Sequence, residues 1–227
     1  MLIEFTGVSH VYPGSPRAVV QELDLTLTES RIGVIGANGS GKSTFARMLN
    51  GLIVPSSGTV SVNGLDTARK GREVRRQVGF CFTDPDSQIV MPTVAEDVAF
   101  GLRRRGLSKP EIAAKVATTL AAHGLEGYGE HPAHLLSAGQ KQMLALSSIL
   151  VTDPAILVMD EPTTLLDLRN TRRVVAAIES MHQHVILVTH HLDLLADFDR
   201  VLVFDESRLV FDGLPEKAVE HYLGLME

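Results

Sequence analysis

Nine consecutive residues, Gly36, Ala37, Asn38, Gly39, Ser40, Gly41, Lys42, Ser43 and Thr44, constrain this chain more than any other feature. They match the spacing G-x-x-x-x-G-K-[ST] and lie between the apolar stretch RIGVIG and a helical pattern, the setting that gives the spacing its meaning. Glycines let backbone N–H groups close around phosphate oxygens, and the helix that follows directs its positive end to the same point. Lys42 would reach the β- and γ-phosphates of a nucleotide, and Ser43 would offer its hydroxyl to Mg2+. An unliganded glycine-rich turn is the alternative, but a chance match in a chain this long is on the order of one in a hundred. A run such as RIGVIG belongs inside a parallel sheet, so this loop prescribes an α/β core.

A phosphate site with a metal needs an acidic partner. The stretch ILVMDEP supplies one, with four apolar residues of a buried strand followed by Asp160 and Glu161 at its carboxyl end. Ligands of open α/β sheets bind at that end. Asp160 is the candidate Mg2+ partner, through water, which leaves Glu161 to polarise an attacking water. A second buried-type strand, VILVTHH, ends in His190 and His191, and His190 is placed to donate to a γ-phosphate. Phosphate binding with a base and a water site indicates nucleoside triphosphate hydrolysis.

The remaining patterns fill in the frame. LIEFTGVSHVY alternates as a strand, and GTVSVNG is a short strand closed by an Asn-Gly turn. From about residue 86 to 151 the pattern is helical, with Ser108 and Glu111 as a capping box. Ile112, Val116 and Leu120 share one face of that helix before Gly124 ends it. A helix is expected over about 169–182, and RVLVFDESRLVFDG reads as a hairpin. The expected division is a core over 1–83 and 152–227 with an inserted helical region over 84–151. One cysteine cannot make an internal disulfide, and it suits a reducing, cytoplasmic setting. The first residues lack a secretory pattern, and no apolar run nears the roughly 18–20 residues that span a bilayer. A net charge of −6 argues against broad nucleic-acid binding, and the basic clusters ARKGREVRRQ and LRRRGL read as solvated helix faces, with a docking or acidic-lipid surface as the alternative.

One further segment decides the type of enzyme. HLLSAGQKQMLALSSIL opens a helix with Ser137 as a natural N-cap. Within it LSAGQ, Leu136 to Gln140, resembles the LSGGQ signature of the ABC ATPases. The resemblance covers essentially the whole chain, in the family's order. Tyr12 matches the aromatic that stacks on adenine, Gly36 to Thr44 the Walker A loop, and Asp160 with Glu161 the Walker B pair. Asp167 in TTLLDL matches the D-loop aspartate, and His190 the switch histidine.

The resemblance implies a P-loop, RecA-like core with an antiparallel β subdomain and an inserted helical subdomain. It implies ATP and Mg2+ as ligands, with two chains sandwiching two nucleotides. Ser137, Ala138, Gly139 and Gln140 of each chain would complete the P-loop site of the other. A homodimer is expected, with a heterodimer as the alternative. FTDPDSQIVMPTVAEDVAFGL is similar to a pattern of energy-coupling-factor importers. That implies a transmembrane coupling subunit, a substrate-binding membrane subunit, and a place on the cytoplasmic face of a prokaryotic membrane. The chain as a whole most resembles the biotin importer's ATPase, with cobalt or nickel importers next. A non-transport ABC ATPase acting on nucleic acid is the rival of a different class. Four positions depart from the family pattern. Thr83 stands where the Q-loop glutamine is expected, with Gln88 further along the same loop. Ala138 replaces the first signature glycine, Met143 a common arginine and Leu166 a D-loop glycine. Ala138 is expected to be tolerated if its φ is negative.

Overall fold

A computed structural model describes residues 1–103 and 105–227, so Arg104 of the second basic cluster lies outside the described residues. In chain order the strands are β1 (Ile3–His10), β2 (Val20–Leu27), β3 (Arg31–Gly36), β4 (Ser57–Val62), β5 (Leu65–Asp66), β6 (Val78–Cys81), β7 (Ile156–Asp160), β8 (His184–Val188), β9 (Arg200–Asp205) and β10 (Arg208–Gly213). The helices are α1 (Lys42–Met48), α2 (Gly71–Gln77), α3 (Val94–Phe100), α4 (Lys109–Ala122), α5 (Ala138–Leu150), α6 (Leu168–Ser180) and α7 (Pro215–Leu225). Two compact units contain them. The first joins Met1–Phe80, Ala155–Glu161 and His182–Glu227, and the second joins Cys81–Pro154 with Pro162–Met181.

In the first unit the two kinds of apolar pattern make two kinds of sheet. Alternating strands form an antiparallel sheet of order β2-β1-β4-β5. Ile3, Phe5 and Val8 of β1 and Leu23, Leu25 and Leu27 of β2 turn inward, as a period of two requires. Continuous apolar runs form the second sheet, of order β10-β9-β3-β8-β7-β6. Within it β9, β3, β8 and β7 run parallel, and β10 returns antiparallel from β9 as a hairpin. Every residue of β7 is buried, which explains why its sequence does not alternate. The ring of Phe45, on α1, stacks on Phe5 at 5.0 Å and meets Phe204 of β9 at 5.1 Å. This aromatic sandwich fastens the helix that follows the phosphate loop between the two sheets.

The second unit is helical, and three of its helices open with the same device. Thr93 and Glu96, Ser108 and Glu111, and Ser137 and Gln140 form reciprocal capping boxes at the starts of α3, α4 and α5. Val116 and Leu120 are buried on α4, and Ile112 is half-buried. The unit takes in residues 162–181, so it extends past the inserted 84–151 region to include α6, which packs on α5. Cys81 is fully buried, with Gln142 Nε2 3.3 Å from its sulfur. Asp97 is a buried tie that sequence patterning did not single out. It accepts from Val90 N at 2.8 Å, Met91 N at 3.0 Å and Ser148 Oγ at 2.7 Å. Among the described residues no helix is long and apolar enough to cross a membrane.

Two outcomes follow from these buried polar groups. Asp97→Ala strips three donors of their acceptor and is expected to lower unfolding stability by about 1–3 kcal/mol, read by urea titration. His123 Nδ1 lies 3.0 Å from Ser147 Oγ, whose proton goes to Met143 O, so the ring nitrogen donates. Burial holds this imidazole below its ordinary value of 6.5. The folded state therefore keeps it neutral, while the unfolded chain takes up a proton as pH falls through that value. Stability is full above it and declines below it. His123→Asn, which keeps a donor in place, should shrink the loss of melting temperature measured between about pH 7.5 and about pH 5.5.

Candidate active site

The phosphate loop is formed by backbone approaches that side chains would block. Gly36 closes β3 at φ +148°, where a Cβ would overlap the carbonyl oxygen of Phe204. Gly41, the N-cap of α1, has φ +103°, and a Cβ there would strike the carbonyl of Val19. Both positions demand glycine. Lys42 is 5% exposed, and its Nζ donates to Gly36 O and Ala37 O, both at 2.8 Å. Burial pulls its ammonium below the ordinary lysine value, and the charges of Glu161 and Asp160 oppose that shift. Val19, the loop from Asn38 to Thr44, and Glu161 line a cavity of about 160 Å³. Gly39 and Ser40 belong to that lining. At one end Tyr12 Oη lies 3.1 Å from Thr44 Oγ1, and the Tyr12 ring meets His10 edge-on.

The acidic side comes from the carboxyl end of β7, with His190 just past the end of β8. Ser43 Oγ donates to Asp160 Oδ1 at 2.9 Å, and Arg47 Nη2 stands 3.5 Å from Asp160 Oδ2. Asp160 is 1% exposed, and burial pushes its carboxyl above the ordinary range against the opposing pull of Ser43, Arg47 and Lys42. Sequence reasoning missed Arg47. Its spacing, four residues after Ser43, puts it on the same helix face, but nothing local in the sequence pairs it with Asp160. Glu161 follows with φ +53°, an uncommon left-handed conformation for a residue with a side chain, and its N–H donates to Val188 O at 3.0 Å. The turn brings Glu161 Oε1 to 2.9 Å from His190 Nε2. Strain of this kind, at a carboxylate beside an imidazole, concentrates at functional positions.

The residues present fit Mg2+ and a nucleotide. Ser43 and Asp160 offer two adjacent oxygen donors, and Mg2+ commonly binds through one or two protein oxygens while waters and phosphates fill the rest. The cavity lined by Asn38 to Thr44 leaves room for phosphate against backbone N–H groups of the loop.

In the second unit α5 starts at Ser137, whose backbone N–H donates to Gln140 Oε1 at 2.9 Å. Ala138 is exposed in the first helical turn and has no positive φ, the condition under which its methyl is accommodated. Gly139 differs, because it is buried and a Cβ would overlap the carboxamide of Asn170. Asp167 caps α6, accepting from Asn170 N at 2.8 Å. Thr83 is half-buried just past β6. The carboxamide of Gln88 is spent within its own unit, accepting from Phe82 N at 3.2 Å and donating to Ala145 O at 3.1 Å.

A family model described as ABC transporter matches residues 20–164, which hold the phosphate loop, the LSAGQ segment and the Asp160–Glu161 pair. The chain belongs to the ABC transporter family. Its ATP-binding members hydrolyse ATP coupled to transport, and so does this chain. It is 50% identical to the biotin transport ATP-binding protein BioM of Rhizobium etli, over 96% of each chain. It is 40% identical to the energy-coupling factor transporter ATP-binding protein EcfA1 of Caldanaerobacter subterraneus, over 88% of this chain and 74% of that one. Among solved structures it matches cbiO1 of Clostridium perfringens, part of the ABC transporter complex cbiONQ. There the TM-score is 0.82 and the identity 29%, over 98% of this chain and 94% of that one. These similarities agree with the resemblance to energy-coupling-factor ATPases read from the sequence.

Asp160 carries a buried charge whose folded-state pKa is raised, so its ionised form opposes folding of the free ABC protein. Asp160→Asn should stabilise the free chain by about 1 kcal/mol, or about 2–4 °C in Tm, while ATPase activity falls to background. Calorimetry and a phosphate-release assay on the same preparation check both halves.

Proposed function

We propose that this chain is the energising ATPase of an energy-coupling-factor importer that takes up biotin. The observation that carries the reading is the convergence of Lys42, Ser43, Asp160, Glu161 and His190 around the phosphate loop in one unit. Two copies would close on two ATP molecules, driving membrane partners: a transmembrane coupling subunit and a substrate-binding subunit, on the cytoplasmic face of the membrane. A homodimer suits a chain that carries every motif itself. The functional division would follow a nucleotide core over 1–83 and 152–227 with a helical region over 84–151.

In this reading Tyr12 stacks on adenine, and the N–H groups of Gly36 to Thr44 hold the phosphates with Lys42. Ser43 and Asp160 would hold Mg2+, which supplies positive charge against the phosphate oxygens. Glu161 would take the proton of the attacking water, with His190 holding its carboxylate and facing the γ-phosphate. Ser137 and Gly139 of the opposite chain would complete the site beside its D-loop Asp167. Thr83 would occupy the Q-loop position. The bonds that Gln88 makes to Phe82 and Ala145 favour a role for that residue in shaping the loop rather than reaching nucleotide. Biotin is favoured by the 50% identity to a biotin transport ATPase over nearly the full chain.

Glu161→Gln keeps the hydrogen-bonding shape and removes the base. It should lower kcat by about 10³-fold and trap an ATP-dependent dimer visible by size-exclusion chromatography. Unchanged turnover would remove Glu161 from the role of base. Co-purified membrane partners should support labelled-biotin uptake; cobalt or nickel uptake instead would move the substrate and leave the ATPase reading intact. Stimulation of the ATPase by DNA or RNA, with no membrane partner, would overturn the transport reading.

A further inference from the structure

The geometry points to Asn170 as a positioning residue that locks the LSAGQ segment to the D-loop of the same chain. Gly139 is the second residue of α5, and it is buried. A methyl group built on it would fall on Cγ, Oδ1 and Nδ2 of Asn170, so the flat carboxamide lies directly against the Gly139 backbone. The backbone of Asn170 is held in place, because it is the third residue of α6 and its N–H donates to Asp167 Oδ1 at 2.8 Å, and the carboxamide reaches Gly139 from that anchored position. A continuous chain of contacts thus runs from Asp167 through Asn170 to Gly139, entirely within the second unit. Its neighbour shows the contrast: Ala138 points a methyl to solvent and meets no such partner. The signature's second glycine is required here by what packs on it.

The proposal rests on the reading that Ser137, Gly139 and Asp167 serve the nucleotide site of a second copy. Two elements that must face one partner site together gain from being held at a fixed spacing. Asn170 sets that spacing without touching ATP itself.

A double-mutant cycle tests this. Gly139→Ala should lower kcat by about a hundredfold, and Asn170→Ala by about tenfold with KM for ATP within about twofold. With the carboxamide gone there is room for the added methyl. Gly139→Ala should therefore cost at least about tenfold less in the Asn170→Ala background than in the wild type. The urea midpoints of the four proteins provide a second cycle independent of catalysis. Gly139→Ala should lower the midpoint, and Asn170→Ala should recover at least half of that loss. Multiplicative effects on kcat would overturn the positioning role, whatever the urea cycle shows. A hydrolysing wild type with a multiplicative cycle sinks only Asn170. A wild type without ATPase activity sinks the proposed function and the catalytic sense of the positioning with it.

Discussion

The hydrogen bond from Ser43 to Asp160 is the contact on which the arrangement of the first unit depends. It joins the first turn of α1 to the carboxyl end of β7, between a half-buried hydroxyl and a carboxylate that is 1% exposed. A buried carboxylate is stabilised only when hydrogen bonds and opposite charges surround it, and here Ser43, Arg47 and Lys42 do so. The lysine is in the same position, with its ammonium folded back onto the carbonyls of Gly36 and Ala37. Both groups have their charged forms disfavoured by burial. A site of this kind holds free energy in reserve for a ligand that carries charge of both signs, which is what a metal nucleotide is.

Burial of charge also explains why the core around the site is so apolar. After Arg31 and His184 at their starts β3 and β8 are apolar throughout, β7 is apolar until Asp160, and the aromatic sandwich of Phe5, Phe45 and Phe204 keeps α1 from shifting. The left-handed turn at Glu161 is tolerable because β7 and β8 fix its two sides, and its own N–H is bonded across to Val188. The turn then aims the Glu161 side chain at His190. Rigidity in the sheet is thus converted into direction at one carboxylate.

The second unit works by different means. Its helices are positioned at their starts, by capping boxes at α3, α4 and α5 and by the Asp167 cap at α6, and by buried ties such as Asp97. This is why the LSAGQ segment can vary at one glycine and not at the next. Ala138 faces solvent in a regular helical turn, whereas Gly139 meets the side chain of another helix.

Much of this was legible in the residues alone. The phosphate loop, the strand ending in Asp160 and Glu161, the capping box at Ser108 and the hairpin near the end follow local rules. Each rests on spacing and on the chemistry of neighbours within a few positions. α2, β2 and α7 are not legible in this way, because a short basic helix, an irregular alternation and a mixed amphipathic stretch carry weak local signals. The pairing of Arg47 with Asp160, the three bonds of Asp97 and the contact of Asn170 with Gly139 were hidden for a firmer reason. They join residues 113, 51 and 31 positions apart at most, and no periodicity specifies which side chains meet over such spans. The sequence by itself determined the chemistry, since phosphate cradles, carboxylates and caps are written in short stretches. Tertiary packing alone decided which of those groups are buried, strained or sterically locked, because burial belongs to surfaces brought together from distant parts of the chain.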